Sequence, residues 1–282
     1  MSVTFRLNRL FASDGKCCEV ALDHGVHNES TFLQGIERLG RVVDQLVMAG
    51  ADALLLSMGQ AQLLQRHPGR QKPSLVVRAD PTSFYGAPAP VLTFCHLVTK
   101  AVERAVALDA TAVVANLMWT VDQPDLYRQC VANITRLKPE CERFGMPLMV
   151  EPLLWTFDEK RRAYKFNPDL ARYAALVRQA VELGADVIKA DPSEDLSEYG
   201  RIIETASGKL VLVRGGSRTS DKDLLVRTRA LMDLGAAGVV YGRNIYQHAA
   251  PEKMLAACNA IVHSNASVAE AEATLSGDSA LR

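Results

Sequence analysis

Glu182-Leu183-Gly184-Ala185-Asp186-Val187-Ile188-Lys189-Ala190-Asp191-Pro192 carries the end of a helix, a turn, a short strand and a cation at the far end of that strand. Glycine takes the left-handed backbone that closes a helix, so Gly184 marks the stop. Val187–Ala190 reads as a short buried strand, bounded by turn signals on both sides. The same joint recurs at Met48-Ala49-Gly50-Ala51-Asp52 and at Asp233-Leu234-Gly235-Ala236-Ala237. A helix, a glycine and then a strand, repeated along the chain, is the αβ loop of a parallel sheet with crossover helices.

Working outward, eight apolar runs read as strands: Cys18–Asp23, Ala53–Ser57, Leu75–Asp80, Ala112–Leu117, Leu148–Leu153, Val187–Ala190, Leu210–Arg214 and Val239–Gly242. Helical segments are expected near residues 31–49, 94–108, 125–143, 169–183, 195–206, 221–234 and 251–263. The repeated joint suits both a closed barrel and an open doubly wound sheet. Eight units and no obvious second domain favour a single (β/α)8 TIM barrel over residues 1–263, with a short C-terminal extension over 264–282. That tail is rich in Ala, Ser and Glu, and is expected to be helical in part and able to join an oligomer contact. Residues 81–93 form a long loop after strand three, suited to a lid.

The chain has 282 residues, 48% of them hydrophobic, with 32 basic and 32 acidic side chains. Zero net charge gives no reason to bind nucleic acid or a membrane surface. No apolar run approaches the roughly 20 residues that cross a bilayer, and Met1–Arg6 lacks the apolar stretch of a signal peptide. The six cysteines, at 17, 18, 95, 130, 141 and 258, show no Cys-x-x-Cys. They read as small buried thiols in a reducing compartment, and a cytoplasmic location is expected.

Chemistry concentrates at the strand ends, where such barrels place their active sites. An apolar strand does not usually finish on a buried ammonium, yet strand six ends at Lys189. A desolvated lysine can lose its proton and attack a carbonyl to form a Schiff base; a plain phosphate-binding lysine is the alternative. Alternation along strand one turns Ala21 and Asp23 inward and Val20 and Leu22 outward; Asp23 could instead cap the next turn. The same logic turns Glu151 of strand five inward, as a general acid or base or as an ion-pair partner of Lys189 or Arg78. Strands seven and eight end in Arg214-Gly215-Gly216-Ser217-Arg218 and Gly242-Arg243-Asn244. Gly215, Gly216 and Gly242 suit a phosphate held by backbone N–H groups, with Arg243 and Arg218 adding charge; ordinary tight turns are the alternative. Asp80, Asn116 and Trp119 are candidates for a second half of the site. His24-Gly25-Val26-His27 offers only two histidines and the remaining four have no ligand spacing, so no metal is expected.

Ala-Leu-Asp-His-Gly (21–25), Asp-Val-Ile-Lys (186–189) and the stretch from Arg214-Gly215-Gly216 to Gly242-Arg243-Asn244-Ile245 resemble the archaeal-type class I fructose-bisphosphate aldolase family over roughly residues 18–263. The resemblance implies Lys189 as the imine-forming lysine, Asp23 beside the reacting centre, and Gly215, Gly216, Gly242 and Arg243 on a ketose phosphate. It implies no cofactor beyond the covalent Schiff base, a small phosphorylated sugar as substrate, and a homo-oligomer. Glu151-Pro152-Leu153 is similar to the strand-five phrase of class I tagatose-bisphosphate and sulfofructose-phosphate aldolases, which implies Glu151, and not a tyrosine, as the acid/base. The expected activity is cleavage or formation of a phosphorylated ketose, with dihydroxyacetone phosphate and an aldehyde as products. Competing readings are a Schiff-base thiolase or transaldolase-like synthase, a metal-dependent aldolase, an isomerase without an imine, and a non-catalytic sugar-phosphate-binding barrel.

Overall fold

Eight parallel strands close a ring in the computed structural model, which describes residues 2–69, 72–192 and 196–277. They are β1 (Cys17–Ala21), β2 (Ala53–Ser57), β3 (Ser74–Arg78), β4 (Ala112–Trp119), β5 (Leu148–Asp158), β6 (Val187–Ala190), β7 (Leu210–Arg214) and β8 (Gly238–Tyr241). Each pairs with its neighbour in sequence, and β8 returns to β1 with Gly238 opposite Cys17. The fold is a (β/α)8 TIM barrel with a C-terminal helical extension.

Alternation along each strand divides the core in two. Cys18, Val20 and Leu22 join the layer between barrel and helices. Cys17, Ala21, Leu55, Val76, Val114, Met149, Val187, Leu212 and Val240 fill the barrel interior, and Leu10 and Phe11 join them from the N-terminal segment. Burying each of the larger side chains, the leucines, valines, methionine and phenylalanine, stabilises the fold by roughly 1.5–3 kcal/mol. Two residues beyond the interior apolar position, the same face carries a polar group on seven strands: Asp23, Ser57, Arg78, Asn116, Glu151, Lys189 and Arg214. The apolar barrel floor thereby supports a polar layer at the C-terminal ends of the strands.

Several expected elements differ in extent. The segment 31–49 is helical only over Leu39–Met48, after short 3-10 turns at His24–His27 and Ser30–Phe32. Gly35 interrupts it at φ +89°, and a Cβ there would lie 2.6 Å from the Tyr246 carbonyl oxygen. Of 94–108, only Ala101–Ala107 is helical; Phe94–Cys95 instead pairs antiparallel with Thr82–Ser83 and ties off the long loop. The helix expected over 195–206 spans Tyr199–Thr205, and residue 195 lies outside the described residues. β5 runs on to Asp158 and folds back through Ala163–Phe166, a hairpin the apolar pattern did not announce. In the tail, Val268–Ser276 forms a helix with a Ser267/Glu270 capping box and a buried Ala271, while residues 278–282 fall outside the described residues.

Candidate active site

The polar layer opens into a cavity of about 460 Å³ at the C-terminal end of the barrel. Asp23, Glu151, Lys189, Gly215, Gly216, Gly242 and Arg243 all line it. Seven residues from five strand ends thus reach one space, Asp23 and Glu151 on the inward face that alternation gives them. Lys189 is only 4% exposed. Its Nζ donates to Glu151 Oε2 at 3.0 Å, since Met149 and Val150 of β5 face Val187 and Ile188 of β6 and the next pair in register is Glu151 and Lys189.

Arg78 joins the rest. Its Nε donates to Asp23 Oδ2 at 2.8 Å, its Nη2 to Glu151 Oε2 at 2.7 Å and its Nη1 to Asn116 Oδ1 at 3.1 Å. Arg214 adds a second clamp, with Nε 3.3 Å from Glu151 Oε1 and Nη1 2.8 Å from Asp191 Oδ1. Burial opposes charge on Asp23 and Glu151, but Arg78 and Lys189 outweigh it. Asp23 is brought down to about 2, and Glu151 is held well below the usual carboxylate range. Both are ionised in the resting site. The turn-capping reading of Asp23 does not hold, because its side chain makes no cap hydrogen bond and goes to Arg78.

At the other end, Gly216 sits at φ +66°, and a Cβ on Gly242 would lie 2.4 Å from His24 Cε1. Arg243 donates from Nη2 to Gly216 O at 3.0 Å and lies 5.0 Å over the Phe32 ring. Asn244 Nδ2 holds the carbonyls of Gly215 and Ser217 at 3.2 and 3.3 Å. These bonds tie the Gly215–Ser217 turn to Arg243 and Asn244, and a Cβ on Gly216 would meet nothing within 4 Å, which leaves that stretch of backbone open to the cavity.

Residues 17–248 match the model of the DeoC/LacD family of aldolases. The chain belongs to this family, and it is an aldolase, a carbon–carbon lyase. It is 30% identical to an uncharacterized aldolase of Saccharolobus solfataricus, over 94% of this chain and 96% of the relative. It is also 30% identical to a 2-amino-3,7-dideoxy-D-threo-hept-6-ulosonate synthase of Halobacterium salinarum (93% and 92% covered). A class 1 fructose-bisphosphate aldolase of Thermoproteus tenax is 27% identical, with 95% and 98% covered. The fold matches a crystal structure of an archaeal fructose 1,6-bisphosphate aldolase at TM-score 0.75 and 23% identity, covering 93% of this chain and all of that one.

The rest of the aldolase site departs from the sequence expectation. Asp80, Asn116 and Trp119 do not line the cavity. Asp80 and Asn116 lie behind Arg78, and Trp119 turns outward under the Arg172 guanidinium at 4.5 Å. Arg218 is also outside the cavity wall, and Arg214 is the strand-seven arginine inside it. The second half is walled instead by Tyr85, Gly86 and Ala87 of the long loop and by Trp155, Asp158, Arg161, Tyr164 and Lys165 of the β5 hairpin. Arg214 and Asp191 share the alternation of Leu212 and Lys189, so that signal could have found them; the hairpin left none.

His24 and His27 turn into an aromatic cluster with Phe32, Tyr85 and Tyr246, their rings 6.5 Å apart. Burial lowers them to about 3 and about 4, so both imidazoles are neutral. Among the described residues no group of three His, Cys, Asp or Glu side chains is placed to hold a metal ion. Below the site, Glu19 is fully buried on the inner face of β1, and among the described residues neither carboxyl oxygen has a hydrogen-bond partner. Burial raises it to about 8.

Proposed function

We propose that this aldolase works through a Schiff base on Lys189, with a ketose 1-phosphate as substrate and without a cofactor. Support comes from one observation above all. A nearly fully buried amine lines the cavity, 3.0 Å from a carboxylate and in the same space as two glycine turns suited to phosphate.

Lys189 passes a proton to Glu151 and its nitrogen attacks the C2 carbonyl. Glu151 returns that proton to the departing C2 hydroxyl as water leaves, and the iminium becomes an electron sink. As a carboxylate again, Glu151 accepts the C4 hydroxyl proton while the C3–C4 bond breaks. An aldehyde leaves. The enamine takes a proton at C3, and water releases dihydroxyacetone phosphate and free Lys189. Asp23, fixed by Arg78, orients the substrate hydroxyls. Gly215, Gly216, Gly242 and Arg243 hold the phosphate. The same enamine would serve a synthase that captures another electrophile, a reading favoured by the 30% identical Halobacterium salinarum relative.

Six buried free thiols suit a cytoplasmic enzyme. Incubation with dihydroxyacetone phosphate and borohydride tests the proposal: the peptide containing Lys189 gains the mass of the reduced adduct. An unmodified Lys189, with activity abolished by a chelator, overturns it.

A further inference from the structure

Asp80, Asn116 and Cys95 form a buried cluster that the reaction above does not use. Asp80 is fully buried. Its Oδ2 accepts from Asn116 N at 2.6 Å and from Cys95 Sγ at 3.3 Å. Its Oδ1 accepts from Asn116 Nδ2 at 3.2 Å and lies 3.5 Å from Arg78 Nη1. Asn116 in turn accepts from that same Nη1 at 3.1 Å. One edge of the Arg78 guanidinium is thus fixed from behind, which leaves Nε for Asp23 and Nη2 for Glu151.

Among the described residues, each polar group in contact with the Asp80 carboxyl oxygens is a donor. Four donors around one carboxyl group suit its ionised form, which has acceptors only. A carboxylate buried outside the cavity costs free energy unless its partners compensate it, and here the compensating cation is the one that holds Asp23 and Glu151. We propose that Asp80 is a positioning residue for the Schiff-base reaction: its carboxylate anchors Arg78, and through Arg78 it sets the placement and proton affinity of Glu151. The inference rests on the imine reading.

The charged and titratable groups facing Asp80 are Arg78 from β3, Glu151 from β5 and Cys95 from the short antiparallel pair, with Cys130 of the helix Pro124–Phe144 behind Cys95. Burial raises Asp80 to about 6 despite Arg78 and Asn116. Asp23, Glu151, His24 and His27 all titrate below that range. As pH falls through 6, the anchor is lost while Asp23 and Glu151 stay ionised and His24 and His27 stay neutral; Asp191, paired with Arg214 on the far side of Glu151, is also raised by burial.

The test compares wild type, Asp80→Asn and Cys95→Ala by steady-state kinetics across pH and by borohydride trapping of dihydroxyacetone phosphate. In Asp80→Asn, kcat falls at least about tenfold while KM changes by less than about threefold, because the lost interaction acts on the chemical step. Trapping on Lys189 persists. Cys95→Ala covers the case in which Asp80→Asn does not fold. It removes one donor from the carboxylate and leaves Arg78 intact, so the acid limb of kcat moves up by roughly 0.3–0.5 pH unit. Wild-type kcat in folded Asp80→Asn, or a Cys95→Ala profile superimposing on wild type, overturns the inference while the imine stands. Absence of trapping in wild type overturns the imine and this inference with it.

Discussion

Lys189 and Glu151, 38 residues apart in the chain, meet through a hydrogen bond of 3.0 Å from Nζ to Oε2. The same oxygen receives Arg78 Nη2 at 2.7 Å, and the other carboxyl oxygen lies 3.3 Å from Arg214 Nε. Three cations hold Glu151 ionised, which makes it an available but weak base. In the proposed reaction the lysine nitrogen is again a cation, the iminium, when Glu151 takes the C4 hydroxyl proton, so all three positive charges keep the carboxylate ionised up to that step.

Replacement of Glu151 by glutamine keeps the shape and removes the proton acceptor. We expect kcat to fall by about 10²–10⁴, the range that general acid–base groups contribute. Borohydride trapping on Lys189 should persist at a reduced rate. Steady-state kinetics beside peptide mass analysis separate the two, and a variant with wild-type kcat removes Glu151 from the proton role.

Gly242→Ala should weaken phosphate binding with little effect on folding elsewhere. The added methyl meets His24 Cε1 at 2.4 Å and the Ala21 carbonyl oxygen at 3.2 Å, so the turn must shift away from the barrel. The dissociation constant for inorganic phosphate, read by calorimetry, should rise by about tenfold or more, equivalent to losing about 1.4 kcal/mol or more. Unchanged phosphate affinity would place the anion elsewhere.

Glu19 predicts a stability that falls with rising pH. Its ordinary value is 4.5, and burial raises it to about 8 in the folded chain. Between those values the unfolded chain has given up the proton and the folded chain still holds it, so folding loses ground as pH rises. Glu19→Leu fills similar volume and removes that dependence. Its unfolding free energy, read from urea titration, should exceed that of wild type at pH 8 by an amount on the order of 2–4 kcal/mol, and the gain should shrink toward pH 4. An equal difference at both pH values would show that Glu19 does not titrate on unfolding.

His263 acts in the same direction at the opposite end of the barrel. Hydrogen bonds to Asp52 and Asp14, at 2.8 and 2.9 Å, raise it from 6.5 to about 8 against the effect of burial. Its contribution is complete below 6.5 and is lost as pH rises through 8. His263→Gln should lower the thermal midpoint at pH 6 and leave it nearly unchanged at pH 9. A midpoint lowered equally at both would mean that packing, not charge, sets the role of this side chain.

By itself the sequence determined the repeated βα units and the inward direction of their strand ends, and the count of eight favoured a closed barrel over an open sheet. The first two are local properties: a glycine after a helix stops it wherever it occurs, and side chains alternate along any strand. Lys189, Glu151 and Asp23 were legible for that reason, as were the paired glycine turns at 215–216 and 242. Tertiary structure decided who meets whom. Arg78 lies 55 residues from Asp23 and 73 from Glu151, and only closure of the ring in one register brings all three together. Asp80 keeps the alternation of Val76 and Arg78, yet the chain leaves the sheet after β3 and carries it behind the guanidinium. Ion pairs across a barrel depend on shear and closure, which no short stretch of sequence specifies. The same holds for the β5 hairpin that walls the second half of the cavity, where the partner strand arises from a turn at 159–162 and not from an apolar pattern.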